Sequence, residues 1–254
     1  MNYTKAGQIV MIAGGTGGIG RHVATAFARA GATVILGSRS AANSPFAQHL
    51  RDTFAASVID TVDMDICDVG SCRVAAHAIR QRHGRLDSLV NATSVAISGI
   101  TGPFLQCDPN MFGRAAEISL SANAVLCHAM HPLLASRGGT VVMFSSDAAI
   151  YSAPNQAMIA ATRAGIVAFA RNYALEASAD KVRVHCVTTS YVRDTPSFEA
   201  FVEKGLSRID RALARAKLGL PAPDDIVPTV LYLCSPGAAH MTGQVLSING
   251  GLST

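Results

Sequence analysis

Short runs of apolar and β-branched residues recur along the chain, separated by longer stretches in which apolar positions follow helical spacing. Within each run the apolar residues are continuous rather than alternating with polar ones, which is typical of parallel strands covered on both faces. The pattern predicts an α/β protein with a three-layer, doubly wound parallel sheet. The predicted strands are Gln8–Ala13, Thr33–Leu36, Ser57–Val62, Asp87–Val90, Gly139–Phe144, Val182–Val187 and Val245–Ile248.

The clearest helices predicted between these strands are Gly18–Ala30, Asp108–Ala135 and Asn155–Ala177, the last two long and rich in alanine. A charged stretch, Asp194–Leu220, interrupts the alternation late in the chain and predicts short helices. Its position favours a mobile lid over a substrate (residues 194–220). No repeat or linker divides the chain, so residues 1–254 are predicted to form a single domain.

A glycine-rich turn lies between the first predicted strand and the first helix. It contains Gly14, Thr16, Gly18, Ile19 and Gly20. Glycines let the main chain approach a pyrophosphate, and the helix start offers unpaired N–H groups and a positive dipole end. The sequence therefore predicts a dinucleotide site of the Rossmann-like type, the alternative being a glycine-rich turn without a ligand.

The end of the second predicted strand bears on which dinucleotide is bound. An NAD site usually carries a carboxylate here for the adenine ribose, but this chain has Ser38, Arg39 and Ser40. A guanidinium flanked by hydroxyls suits a 2′-phosphate, so NADP, with NADPH preferred over NADH, is the predicted cofactor. The alternative is that Arg39 is simply a solvated residue after a strand.

Composition excludes several other classes of function. The 254 residues are 49% apolar and 15% charged, which is enough for a buried core and excludes a disordered chain. The net charge of +4 is not concentrated in any run, so neither a nucleic-acid nor a membrane surface is expected, and a small-molecule partner is favoured. Six scattered cysteines, with no membrane-length apolar stretch or signal sequence, predict a cytoplasmic protein.

Several motifs together resemble those of the short-chain dehydrogenase/reductase family, over nearly the whole chain. They are the glycine turn, with Ala13 in place of a threonine, Asp65-Ile66 after the third strand, and Met241–Gln244 with Asn249–Gly251 near the end. The resemblance implies a family-like fold, an oligomer and an NADP(H)-dependent oxidoreductase. It also implies cofactor contacts beyond the glycine turn and Arg39, at Asp65, Ile66, Asn91, Arg163 and Val192.

The catalytic positions depart from the family pattern. Ser146 matches the family's catalytic serine, the alternative being a strand-end serine hydrogen-bonded to nearby backbone. Ser119 stands in the place of an active-site asparagine. The family's YxxxK motif aligns with Ile159–Arg163, so the tyrosine that exchanges a proton with the substrate is isoleucine. Loss of a general acid typically costs roughly 10² to 10⁴ in rate. Arg163 keeps the positive charge of the family's lysine and could keep its contact to the nicotinamide ribose.

Tyr151, in the loop after Ser146, and Tyr191, after the sixth strand, are the alternative proton donors. Asp147 ranks lower because a residue next to the serine normally points elsewhere. For tyrosines in such loops, the simpler interpretation is a wall of the pocket. His128 and His131 share a helical face, but no third ligand is evident, so helix packing is favoured over a metal site.

Three functions remain open on the sequence. The first is an atypical NADP(H)-dependent oxidoreductase acting on a carbonyl or hydroxyl compound without the usual tyrosine and lysine, with Ser146, Tyr151 and Arg163 as catalytic candidates. The second is a catalytically silent subunit that pairs with an active homologue. The third is a non-redox enzyme on the same scaffold. Both homo-oligomers and hetero-oligomers are compatible with these alternatives.

Overall fold

Seven parallel strands form one sheet in the order β3-β2-β1-β4-β5-β6-β7. This computed structural model describes residues 5–94, 97–203 and 207–253. Each strand predicted from an apolar run is present, and the fold class predicted from the sequence is confirmed. The strands are β1 Ile9–Ala13, β2 Thr33–Ser38, β3 Ile59–Asp63, β4 Ser88–Asn91, β5 Thr140–Ser146, β6 Arg183–Thr189 and β7 Val245–Ile248.

Helices cover both faces of the sheet. Those in the described ranges are α1 Gly18–Arg29, α2 Pro45–Thr53, α3 Val69–His83, α4 Asn110–Ala116, α5 Ala122–Leu134, α6 Ala157–Ala177, α7 Pro196–Glu203, α8 Ser207–Arg215 and α9 Pro223–Leu233. Side chains of α1, α2 and α9 form one apolar core, and those of α3, α5 and α6 form the other. No helix in the described ranges is long and apolar enough to cross a membrane.

The first strand shows why the apolar runs are continuous. All of its residues are buried, and their side chains divide between the two cores. Met11 packs with α3, α5 and α6, whereas Val10 and Ile12 pack with α1 and α9. Because successive side chains point to opposite faces, a strand between two helical layers needs apolar residues at every position.

Strand order places a crevice between β1 and β4. From β1 the chain moves outward through β2 and β3, and then returns to the other side of β1 to form β4. The connections after β1 and β4 therefore diverge at the carboxyl edge of the sheet, which is where ligands bind in open α/β sheets. The glycine turn and the connection after β4 meet at this point.

The helix predicted over Asp108–Ala135 is interrupted. Between α4 and α5 the chain forms one π-helical turn, Glu117–Ser121, with Ser119 buried at its centre. Single π turns inside helices frequently occur at functional sites. The predicted helical structure is therefore confirmed here, whereas the prediction of one regular helix is wrong.

The charged stretch after β6 folds into short helices, as predicted. In α8, Ile209 and Ala212 are buried, and beyond its end Ala216 and Leu220 are buried as well. The main-chain N–H of Arg193 donates to the Pro221 carbonyl at 2.8 Å, which closes the base of this segment. Residues 204–206, inside the predicted lid, lie outside the described residues.

Candidate functional site

The glycine turn after β1 can accommodate a phosphate. A Cβ at Gly14 would lie 2.9 Å from backbone atoms of Ala92 and Thr93, and a Cβ at Gly20 would overlap the Gly14 carbonyl oxygen. Gly14 also has a φ of 75°, which favours glycine. A Cβ on Gly18 would meet no atom within 4 Å, so space remains open above the start of α1.

The first turn of α1 offers its N–H groups to a ligand. Gly17 occupies the N-cap, no side chain caps the helix, and the first turn contains no acidic residue. Helix starts are usually capped by a hydroxyl or carboxylate, so an uncapped start beside open space suits an external anion. Thr16 and Ile19 flank this space and are half-buried. These features fit a dinucleotide pyrophosphate.

Arg39 lies just past the carboxyl end of β2, exposed to solvent. Within the described ranges its guanidinium has no hydrogen-bond or ion-pair partner. The carboxylate nearest in register is Asp63, which pairs with Ser38 across β2 and β3. Asp63 Oδ1 accepts the main-chain N–H of Ala42 at 2.9 Å and so supports the loop. The cation is therefore available to a phosphate.

Asp65 and Ile66, after β3, differ in what they can offer a ligand. Asp65 is exposed, and its Oδ1 accepts the Cys67 main-chain N–H at 2.9 Å. Ile66 is only 8% exposed and packs in the core of α3, α5 and α6. The predicted adenine contact would thus use the Asp65 side chain and the backbone of Ile66.

Asn91, at the end of β4, belongs to a buried amide network. Its Nδ2 donates to Asn123 Oδ1 at 2.7 Å, and its Oδ1 accepts from Thr93 Oγ1 at 2.7 Å. Asn123 Nδ2 in turn donates to the Ser119 carbonyl in the π turn at 2.6 Å. Asn91 therefore stabilises the crevice through its side chain.

The role of Asn123 was missed by the sequence analysis. A polar amide four residues after Ser119, within an otherwise apolar stretch, is the signal that could have found it. Asn123 is 5% exposed and connects β4 to the π turn. The network holds two of the segments that border the predicted substrate site.

Ser146 ends β5 at the carboxyl edge. Its Oγ accepts the Ala148 main-chain N–H at 3.2 Å, which leaves the hydroxyl hydrogen available to a ligand. The adjacent Ser145 Oγ donates to the Arg163 carbonyl at 2.9 Å. This bond joins the end of β5 to α6 and so brings the predicted catalytic positions of the two elements together.

Ile159 and Arg163 lie one turn apart on α6 and share a face. Burial lowers the pKa of the Arg163 guanidinium from its usual value. In the described part of the chain, no carboxylate forms an ion pair with it. A half-buried cation with no protein anion beside it can stabilise negative charge or donate hydrogen bonds to ribose hydroxyls.

The two candidate tyrosines have different surroundings. The ring of Tyr191 packs edge-on against Phe201 of α7, with ring centroids 5.5 Å apart, and contacts the apolar cluster of the lid. Tyr151 is half-buried in the connection after β5, where its main-chain N–H donates to the Asp147 carbonyl at 2.8 Å. The Tyr191 ring is thus part of an apolar contact with the lid, whereas Tyr151 lies five residues after Ser146 in the chain.

Asp147 turns away from the predicted site. Its Oδ1 accepts from Ser247 Oγ at 2.7 Å and its Oδ2 from Asn249 Nδ2 at 2.5 Å. Asn249 also donates to the Ser253 carbonyl at 2.8 Å. This geometry agrees with the expectation that Asp147 is a less suitable proton donor than the tyrosines. The sequence did not predict the hydrogen bonds of Asp147 to Ser247 and Asn249.

Val192, predicted to meet the nicotinamide, is buried with residues of α9. Its carbonyl accepts from Thr195 Oγ1 at 2.8 Å. A contact to the cofactor would therefore involve the Val192 main-chain N–H. The hydrogen bond from Thr195 fixes the backbone at the point where the chain leaves β6 for the lid.

His131, considered as a metal ligand with His128, has protein partners instead. Its Nδ1 and Tyr173 Oη are 2.8 Å apart, and its Nε2 lies 2.9 Å from Asp180 Oδ2. Burial raises the pKa of Tyr173. In the residues that the structure describes, no three metal-ligating side chains are grouped. His131 therefore links α5 to Tyr173 of α6 and to Asp180 just beyond it.

Two cavities lie away from the predicted cofactor-binding and catalytic residues. One, of about 690 Å³, opens at the amino edge of the sheet beside Arg137, Lys181 and Arg183. Arg183 there donates to the Leu233 carbonyl at 2.7 Å, at the end of α9, where a cation is favourable for the helix dipole. The other, of about 770 Å³, lies on the outer face of α5 and α6. Neither contains a residue predicted to bind cofactor or to act in catalysis.

A family model described as enoyl-(acyl carrier protein) reductase matches residues 13–253. The chain is 28% identical over 248 residues to a 3-oxoacyl-[acyl-carrier-protein] reductase of Thermotoga maritima, covering 97% of this chain and 98% of that protein. It is 27% identical over 257 residues to a tropinone reductase homolog of Arabidopsis thaliana, with 99% and 94% covered.

Solved structures show the same fold. A short-chain type dehydrogenase/reductase from Mycobacterium ulcerans aligns with a TM-score of 0.90 at 23% identity, over 98% of this chain and 90% of that one. A 7α-hydroxysteroid dehydrogenase, complexed with NADH and 7-oxo glycochenodeoxycholic acid, aligns with a TM-score of 0.86 at 26% identity. That alignment covers 98% of this chain and 96% of the other.

Proposed function

The chain belongs to the short-chain dehydrogenase/reductase family, and from this we propose that it is an atypical NADP(H)-dependent oxidoreductase acting on a carbonyl or hydroxyl compound. The observation that carries the proposal is the dinucleotide half of the site. An uncapped helix start lies beside an open glycine turn, and an exposed Arg39 follows the next strand. The cofactor would be NADP, with NADPH bound in preference to NADH.

We assign the other roles in the proposed reaction to individual residues of the chain. When bound, the reduced nicotinamide supplies a hydride to the substrate carbon. Ser146 donates its hydroxyl hydrogen to the substrate oxygen, while its Oγ accepts the Ala148 main-chain N–H. The Arg163 guanidinium holds the nicotinamide ribose and adds positive charge near the developing alkoxide. Asp65 and the backbone of Val192 contact the two ends of the cofactor.

The proton comes from a group outside α6, because Ile159 has none to give. Tyr151 is the favoured donor since it lies in the connection that follows Ser146. Tyr191 is less suited because its ring is packed against Phe201. Water is the remaining source, at a lower rate.

The proposal also covers the domain organisation, the location and the assembly of the protein. Residues 1–254 act as one domain, with residues 194–220 closing over a small-molecule substrate. The free cysteines of the described ranges favour a reducing, cytoplasmic location. The chain works as an oligomer, with copies of itself or with another member of the family.

A titration with NADPH and with NADH, followed by protein fluorescence or calorimetry, tests the cofactor proposal. The wild-type chain should bind NADPH more tightly than NADH. Arg39→Ala should weaken NADPH binding by about 10- to 100-fold, the value of a charge-assisted contact to phosphate, and leave NADH binding unchanged. Arg137→Ala, which removes an exposed arginine at the opposite edge, serves as the matched control.

The opposite result has a clear meaning. If neither cofactor binds at millimolar concentration, the oxidoreductase proposal fails, and a catalytically silent subunit becomes the better account. Equal loss of NADPH and NADH affinity in Arg39→Ala would remove only the preference for the 2′-phosphate.

A further inference from the structure

The cavity at the amino edge of the sheet is lined by more positive than negative side chains. It has a volume of about 690 Å³ and lies among the connections that lead into β1, β4, β5, β6 and β7. The formally charged side chains among the described residues that line it are Arg85, Asp87, Arg137, Lys181 and Arg183. Arg85 Nε donates to Asp87 Oδ1 at 3.0 Å, so these two charges balance each other. Three positive charges are then left without a carboxylate in the wall of this amino-edge cavity.

The guanidinium of Arg183 has only neutral partners in the hydrogen bonds that it makes. Its Nη1 donates to the carbonyls of Leu233 at 2.7 Å and Ala238 at 3.0 Å, and its Nη2 donates to Thr140 Oγ1 at 2.6 Å. These oxygens satisfy the N–H groups but do not cancel the charge. Burial lowers the pKa of Arg183 from its usual value, as expected for a cation that is partly removed from water. An anion in the cavity would therefore be attracted by a charge that water screens only in part.

Arg137 and Lys181 lie on two connections that are held against each other. The main-chain N–H of Arg183 donates to the Gly139 carbonyl at 2.9 Å. A Cβ at Gly138 would lie 2.9 Å from the Cβ and the carbonyl oxygen of Lys181, so only glycine allows this close approach. Both cationic side chains are exposed, and within the described ranges neither has a hydrogen bond or an ion pair. The fold thus brings two available cations to one cavity.

The backbone at Lys181 is a separate observation. Its φ is 59°, in the left-handed region, at the position that ends the short turn Ser178–Asp180 after α6. Glycine is the residue that adopts this conformation at helix ends with least strain. The neighbouring carboxylate does not pair with the lysine, because Asp180 Oδ2 lies 2.9 Å from His131 Nε2. An uncommon conformation that keeps a charged side chain points to a use for that charge.

The size and lining of the cavity define the class of ligand. Sites for small molecules have volumes of roughly 300 to 1,000 Å³, so this cavity has room for an organic body as well as for anionic groups. Pro236, Ala239 and Met241 line it and can contact such a body. Arginine and lysine are the side chains that bind phosphate oxygens. We propose that the amino-edge cavity is a second ligand site, which binds a small organic molecule carrying more than one phosphate group.

This site is separate from the predicted dinucleotide site and goes beyond the proposed function. The glycine turn and Arg39 lie at the carboxyl ends of β1 and β2, whereas the cavity lies where the strands begin. The two sites share no residue. The inference therefore holds whether or not the chain binds NADPH.

The experiment is a calorimetric titration with fructose 1,6-bisphosphate at low salt, with fructose as the uncharged comparison. This probe has two phosphate groups on a small body and contains neither adenine nor nicotinamide. Wild type should bind the bisphosphate and not fructose, and the affinity should fall as salt is added, because exposed cations are screened. Arg137→Ala and Lys181→Gly should each weaken binding by about 3- to 10-fold.

The variants include their own controls for folding. Lys181→Gly removes the cation and relieves the left-handed φ, so the melting temperature should not fall and weaker binding then reports the lost charge. Lys181→Arg keeps the charge and should keep most of the affinity. Arg39→Ala should bind the bisphosphate as wild type does, and Arg137→Ala should bind NADPH as wild type does.

Three results would overturn the inference. They are no binding of the bisphosphate at millimolar concentration in low salt, equal affinity in wild type and in the Arg137 and Lys181 variants, and loss of binding in Arg39→Ala. The last would place the probe at the glycine turn instead. Titration of the same preparations with NADPH separates failure of this inference from failure of the cofactor proposal.

Discussion

Isoleucine at position 159 removes the proton donor of the family's motif, so the proposed mechanism needs another source, for which Tyr151 is our candidate. We expect Tyr151→Phe to lower the turnover number by roughly 10²-fold or more, since that is the usual contribution of a positioned general acid. NADPH affinity should not change, because the phenol lies in the connection after β5 and away from the glycine turn. Steady-state rates with a ketone substrate give the comparison.

Tyr191→Phe is the matched variant for this prediction. The Tyr191 ring already packs against Phe201, and phenylalanine keeps that contact, so turnover should fall less than twofold. Unchanged turnover in Tyr151→Phe would exclude that tyrosine as the donor. A large fall in Tyr191→Phe would transfer the role to Tyr191.

His185 makes stability depend on pH. It is fully buried on β6, and neither ring nitrogen has a partner within the described ranges. Burial, with a smaller contribution from Arg183, lowers its pKa from 6.5 to about 4. The unfolded chain therefore takes up a proton below pH 6.5, and the folded chain does so only near pH 4. The stability that this residue contributes is present above pH 6.5 and is lost as pH falls towards 4.

The free energy of unfolding in urea at pH 7.5 and at pH 4.5 measures this contribution. Wild type should lose about 2 to 3 kcal/mol more than His185→Phe over this interval, because phenylalanine cannot take up a proton. His49→Phe, at an exposed histidine of α2, should keep the wild-type dependence. The same pH dependence in wild type and His185→Phe would contradict the assignment.

At the scale of elements, the strands are predictable because their signal is local. Continuous apolar runs are required wherever helices cover both faces of a sheet. The ends are harder, since β5 runs on to Ser146 and β6 to Thr189, beyond the last apolar residue of each run. Ser145 pairs with Thr188 across the two strands, so these polar residues extend the sheet. Main-chain pairing between β5 and β6 sets the ends of both strands, and the polarity of the residues does not predict that pairing.

The π turn shows what a local pattern cannot predict. Asp108–Ala135 has the composition of one long helix, and no residue in it requires an interruption. In the structure, Asn123 binds both the Ser119 carbonyl and Asn91 on β4. The interruption therefore accompanies a contact between segments about 30 residues apart in sequence, which apolar spacing does not encode.

The predicted site has one part that depends on neighbouring residues and one that depends on segments distant in sequence. Its glycine turn depends on adjacent residues, and the sequence was sufficient to predict the open helix start and the position of Arg39. The catalytic half depends on three connections that meet at the carboxyl edge. The bonds of Asp147 to Ser247 and Asn249 join positions about 100 residues apart, so only the folded chain reveals them.

At the scale of the whole molecule, we predict that copies of the chain associate through the outer face of α5 and α6. Its cavity of about 770 Å³ is lined by small and apolar side chains, including Ala129 and Phe169. Arg73 of α3 and Glu176 of α6 also line this cavity. In a two-fold arrangement the same surface is used twice, so both charges occur on each side of the contact.

Replacing Ala129 with arginine tests this surface directly. A long charged side chain on this face would oppose close packing against a second copy and put like charges on both, at a cost of several kcal/mol to association. We expect wild type to sediment as a dimer or larger at micromolar concentration, and Ala129→Arg to sediment as a monomer. Ala26→Arg, at a half-buried alanine of α1 on the other side of the sheet, should leave the mass unchanged.

A monomeric wild type, or an Ala129→Arg variant of unchanged mass, would show that this face does not join copies. If copies do associate through this face, the interface is directly connected to the predicted catalytic site, because α6 carries both this face and Arg163.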